Sequence, residues 1–79
     1  MKKIYILIHE WNLGLDCGES RILCEKYSEA VSRFNALKLC ILSDDIKLPY
    51  SFETENYFTV YEKETSNINR QTLFIMESI

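Results

Sequence analysis

Histidine, tryptophan and proline occur once each in this chain and glycine only twice. The lone histidine, His9, leaves a single side chain able to act as an imidazole base. A histidine-rich metal site is thereby excluded, and a Cys17/His9 pair is the sole combination from which a nucleophile and its base could be assembled. His9-Glu10 opens like a zinc-protease signature, but that motif needs a second histidine one helical turn later, where this chain has Leu13. A histidine near a strand end, bonded to backbone or solvent, is the expected reading. Gly14 and Gly18 do not form a glycine-rich loop between a strand and a helix, which argues against nucleotide hydrolysis. The three cysteines, Cys17, Cys24 and Cys40, are odd in number and match no zinc or redox spacing, so they are expected to be reduced thiols in the cytoplasm. Cys24 and Cys40 fall in apolar patterns and read as small core residues, whereas Cys17 reads as exposed. The longest apolar run, Ile4 to Ile8, is too short to span a bilayer, and no cleavable leader pattern follows Met1-Lys2-Lys3. Neither a membrane nor secretion is expected, and no cofactor or metal is called for.

The 79 residues leave room for one core, hence one compact domain over residues 1–79. With 47% hydrophobic and 13% aromatic residues, the chain carries more apolar surface than a disordered segment and should fold. Lys3 to Trp11 is β-branched and aromatic with apolar residues on both alternating faces, the pattern of an interior strand. Asn12 to Ser20 reads as a long loop, and Arg21 to Lys26 as the second strand of a hairpin. Ser28 is placed to cap a helix over about 29–42, with Glu29 in its first turn and Ala30, Val31, Phe34, Leu37 and Ile41 along one face. Pro49 keeps the segment to Glu55 from being helix or central strand. Asn56 to Glu64 alternates with Phe58 and Val60 inward, and Gln71 to Ser78 closes the chain as another strand.

The expected fold class is therefore α+β: a four-stranded, mainly antiparallel ββαββ sheet with one helix on one face. The preferred strand order is 2-1-3-4. The alternative, 2-1-4-3, would set the first and last strands parallel and would account for the two apolar faces of Leu73 to Met76. At the sheet edge that last strand would expose backbone and apolar side chains together, a surface for a homodimer or another partner.

Charge is uneven along the chain: residues 1–40 hold six basic and five acidic side chains, residues 41–79 three and seven. The acidic residues Asp44, Asp45, Glu53, Glu55, Glu62 and Glu64 are interleaved with the aromatic rings of Tyr50, Phe52, Tyr57 and Tyr61. Such a stretch repels phosphate, so direct nucleic-acid binding is not expected. It suits docking on a basic groove of another protein, with carboxylates standing at phosphate positions and tyrosines supplying contact area. Trp11, at the end of the first strand, is either a lid on the core or an exposed anchor for a partner.

The opening strand IYILIHEW, the helix YSEAVSRFNAL and the closing strands NYFTVYEKE and TLFIMES resemble small ββαββ or βαββ proteins encoded by phages and mobile elements. Some of these are anti-CRISPR or other anti-defence inhibitors. The resemblance implies a non-enzymatic inhibitor that binds a larger cytosolic protein, such as a nucleic-acid-handling defence complex. Two other classes stay open: an oligomer that sequesters a small nucleotide signal, using Lys26, Arg33 and Arg21, and a structural homodimer.

Overall fold

The computed structural model describes residues 3–44, 48–65 and 68–78. Its elements run β1 (Ile4–Leu13), β2 (Asp16–Cys24), α1 (Tyr27–Leu42), β3 (Tyr50–Thr54), β4 (Tyr57–Tyr61) and β5 (Arg70–Ser78). The α+β class is as expected, and so is the single helix among the described residues. The sheet, however, has five strands, in the order β2-β1-β5-β4-β3. Every neighbouring pair is antiparallel.

The strand missing from the ββαββ expectation is β3, directly after Pro49. Proline is tolerated at the start of an edge strand, where its absent N–H disturbs no ladder, so Pro49 marks an entrance as well as a helix stop. All five residues of β3 are exposed, which is why no hydrophobic run announces it. Its presence also decides the sheet order. The 2-1-3-4 order is replaced by one in which the last strand lies beside β1, and one extra reversal of the chain brings that strand back antiparallel, not parallel as the 2-1-4-3 alternative required. β5 is consequently an interior strand. Its two apolar faces, Leu73 and Ile75 on one side and Phe74 and Met76 on the other, are what burial between two neighbours demands.

The β1–β2 connection is tighter than a long loop. Leu13 pairs with Asp16, leaving only Gly14 and Leu15 between the strands. Gly14 has φ +82° and Leu15 does not share the positive sign, the pattern of a type II′ turn, which takes glycine at its first central position. Gly18 is a strand residue. It lies opposite Trp11, and a Cβ there would stand 2.6 Å from the indole Cζ2, so the missing side chain is the space that the ring fills.

Helix α1 begins at Tyr27, before the expected Ser28 cap. Its N-cap is Lys26, in an extended conformation (φ −122°, ψ 141°) with no side-chain bond to the first turn. The backbone geometry suits a capping residue, but lysine has no acceptor and places positive charge at the positive end of the dipole. Lys26→Asp is therefore expected to raise stability by about 1 kcal/mol, a shift of roughly 4–8 °C in a circular-dichroism melt of a domain this size.

The helix stripe Ala30, Phe34 and Ile41 is buried as its spacing predicts. Phe34 and Ile41 meet Leu7, Phe58, Val60 and Leu73 in one cluster, with Ile22, Leu37, Leu48 and Ile75 packed around it. Phe58 and Val60 point inward as expected. Cys24 is buried and Cys17 exposed, also as expected, but Cys40 is exposed: it precedes Ile41 on the helix and turns off the buried stripe. Among the described residues no helix is long and apolar enough to cross a membrane.

Candidate functional site

One helix covers one face of the five-stranded sheet, and the strand register assigns every residue of the other face. Across it run five rows of side chains: Ile4 and Ser78; then Leu23, Ile6 and Met76; then Arg21, Ile8, Phe74, Tyr57 and Thr54; then Glu19, Glu10, Thr72, Thr59 and Phe52; then Cys17, Asn12, Arg70, Tyr61 and Tyr50. None of these belongs to the cluster beneath the helix. Leu23, Phe52, Tyr50 and Met76 are 69%, 54%, 55% and 47% exposed, large apolar side chains open to water on a single surface.

The aromatic rings on this face form two contiguous sets. Tyr50 stacks on Tyr61 at 5.7 Å, and the Arg70 guanidinium lies 4.7 Å from the Tyr61 centroid. Phe52 meets Tyr57 at 6.2 Å, and Tyr57 meets Phe74 at 6.4 Å. Two residues are buried here without any help from the helix. Ile8 is 2% exposed between Arg21 and Phe74, and Thr59 is 3% exposed, its hydroxyl donating to the Gln71 carbonyl at 3.0 Å with the Thr72 hydroxyl 3.1 Å away. Side chains thus lean over the sheet and make a dense surface in place of separate protrusions. Toward the β1–β2 turn the surface dips into an open cup of about 620 Å³, lined by Glu10, Asn12, Cys17, Glu19, Thr72 and Arg70 with Tyr57 and Phe74 beside them.

The acidic and aromatic stretch read from the sequence does not form one patch. Tyr57 and Tyr61 are on the open face. Glu53 is on the helix face, its carboxylate accepting from Lys38 Nζ at 2.7 Å. Glu55 lies in the two-residue turn between β3 and β4, at one end of β4. Glu62 and Glu64 follow the other end, where Glu62 Oε2 accepts from Asn69 Nδ2 at 2.5 Å and the Glu64 carbonyl accepts from Arg70 at 3.3 Å. Asp44 is exposed just past the helix, its N–H donating to the Ile41 carbonyl. Asp45 lies outside the described residues.

Trp11 is on the helix side of β1, half-buried over Gly18 and outside the main cluster, its Nε1 donating to Asp16 Oδ1 at 3.2 Å. Beside it His9 Nε2 donates to Gln71 Oε1 at 3.0 Å, and the His9 and Trp11 rings stand 5.0 Å apart. Cys17 and His9 project from opposite faces of the sheet, so the one nucleophile–base pair that the composition allowed is not assembled. Among the described residues no group of three or more His, Cys, Asp or Glu side chains is gathered as a metal site.

Sequence reasoning grouped Tyr50, Phe52, Tyr57 and Tyr61 on one surface but missed Phe74, Leu23, Met76, Glu10 and Asn12 as members of it. The available signal was the alternation in YSFET and the second apolar phase of TLFIMES, both of which acquire meaning only when β3 and β5 are paired through β4. No family model, no curated protein and no solved structure matches this chain.

Proposed function

We propose that this chain is a non-enzymatic protein-binding module that lays its open aromatic sheet face on a larger cytosolic protein. In its specific form it is a small inhibitor of the phage type, anti-CRISPR or otherwise anti-defence, that occludes a basic nucleic-acid-binding surface. The observation that carries this reading is the uncovered face itself. Four strand spacings of about 4.8 Å and a ten-residue strand give it an extent of about 20 Å by 30 Å, roughly 600 Å², near the approximately 800 Å² each partner contributes to a standard interface. Aromatic side chains with an arginine among them are the composition of an interface core.

Nucleic acid fits this face less well than protein does. Stacking platforms for single strands pair their rings with basic side chains that follow the backbone. Here Arg21 is joined to Glu19 at 2.5 Å, Glu10 adds another carboxylate, and the whole chain carries −3. The same negative charge suits a partner whose surface is basic, and long-range attraction would speed its encounter.

The test combines Leu23→Lys, Phe52→Lys and Met76→Lys, at exposed positions that leave the helix-side core untouched, with Leu39→Lys on the helix as control. The face variant is expected to lose at least about 100-fold in affinity for the protein captured by the parent chain, and the helix variant to keep it. The captured protein, once purified, should bind nucleic acid and release it when the parent chain is added. Equal capture by the face variant, failure to displace nucleic acid, or a parent chain that sediments only as a homodimer buried on this face would each overturn the proposal.

A further inference from the structure

The cup on the open face has a chemistry that names its occupant. Glu10 and Glu19 stand directly opposite each other on β1 and β2, where like charges disfavour the pairing of strands. Arg21 relieves one of them by donating to Glu19 at 2.5 Å. Glu10 is exposed and no hydrogen bond or ion pair among the described residues reaches its carboxylate. Arg70, at the other end of the cup, is held by the Tyr61 ring and by the carbonyls of Lys63 and Glu64. The side chains between them are Thr72 and Asn12, and one flank is formed by Tyr57 and Phe74.

We infer that this cup is a socket for an arginine side chain projecting from the bound protein, an inference that rests on the docking reading and supplies the partner's chemistry at its centre. The juxtaposition that carries it is an unpaired carboxylate beside two aromatic rings, in a recess too large for one side chain alone and able to admit the backbone that carries it. A guanidinium is planar, donates two parallel hydrogen bonds to one carboxylate and stacks on aromatic faces, while its aliphatic stem is content against apolar side chains. Lysine would satisfy the charge but not the stacking. A nucleotide would bring its phosphate up to Glu10 and Glu19. An arginine that the partner otherwise uses to hold a phosphate is thus met by Glu10 in the phosphate's place, which ties the socket to occlusion of a basic surface.

The experiment is a titration of the isotope-labelled chain, followed by amide chemical shifts, with N-acetyl-arginine amide, with its neutral isostere N-acetyl-citrulline amide, and with guanosine monophosphate. The arginine probe is expected to shift the amides of Glu10, Asn12, Glu19 and Thr72 and to bind about tenfold more tightly than citrulline, the ratio of a charge-assisted to a neutral contact. Glu10→Gln should bring the arginine probe down to the citrulline level while leaving spectral dispersion unchanged. Equal binding of both amides, preference for the nucleotide, shifts elsewhere on the surface, or indifference to Glu10→Gln would overturn the inference. Failure here with the lysine variants still losing the partner removes only the socket. An arginine-specific cup in a chain whose lysine variants still capture the partner removes only the docking face.

Discussion

Leu73→Ala is expected to bring the protein to the edge of unfolding at 25 °C, with folded and unfolded chains in comparable amounts. Leu73 is fully buried, flanked in register by His9 on β1 and Phe58 on β4, and it belongs to the cluster that joins Phe34 and Ile41 of the helix to the sheet. Truncating a buried leucine costs about 2–5 kcal/mol, because the lost transfer energy is joined by the cavity left behind. A single core in a chain of this length supplies only about 3–5 kcal/mol in total. The two figures nearly cancel, so one substitution should take the domain to the edge of its stability. Urea titration followed by Trp11, the only tryptophan, and by far-ultraviolet circular dichroism would read the change directly. A loss below about 1 kcal/mol would mean that the helix and sheet are not joined at this leucine.

Ile75→Pro should be equally damaging, for a reason that depends on sheet order. The Ile75 N–H donates to the Asn56 carbonyl at 3.0 Å, and β5 is bonded to β1 on its other side. Proline removes that donor, leaves the Asn56 carbonyl without its partner and puts a ring where the strand meets its β4-side neighbour, a position proline does not occupy in an interior strand. Ile75 also packs on the core cluster, so Ile75→Ala serves to separate side chain from backbone. The proline variant is expected to cost at least about 3 kcal/mol and to exceed the alanine variant clearly in chemical denaturation. Matching midpoints for the two would place the last strand at an edge and restore the 2-1-3-4 order.

These two substitutions also mark how legible the chain was. Leu73 could be read as buried from its own neighbourhood, since TLFIMES offers an apolar residue on each face. That Ile75 sits between two strands was open only as the alternative 2-1-4-3 order, and the antiparallel direction of β5 beside β1 could not be read, because it needs β3, whose exposed YSFET carries no burial signal and follows a proline. The helix stripe of Ala30, Phe34 and Ile41 was visible at 3.6-residue spacing, whereas Cys40 read as core merely by lying next to it. Asp44 to Glu64 looked like one acidic and aromatic surface because the residues are close in sequence. In a strand successive side chains leave opposite faces, and the turns at the two ends of β4 lie far apart, so Glu53 is bound to Lys38 on the helix side while Tyr57 and Tyr61 look the other way.

Local composition by itself determined the helix with its buried stripe, the interior character of β1 and the inward direction of Phe58 and Val60. Each of these follows from side-chain periodicity within a few residues, which is short-range information. Only the tertiary structure decided the fifth strand, the place of β5 beside β1, and the gathering of Leu23, Ile6, Met76, Phe74, Tyr57 and Phe52 with Glu10 on one uncovered face. Those residues come from five separate strands. Register between strands distant in sequence brings them together, and no stretch of chain short enough to show a pattern contains more than a fraction of them.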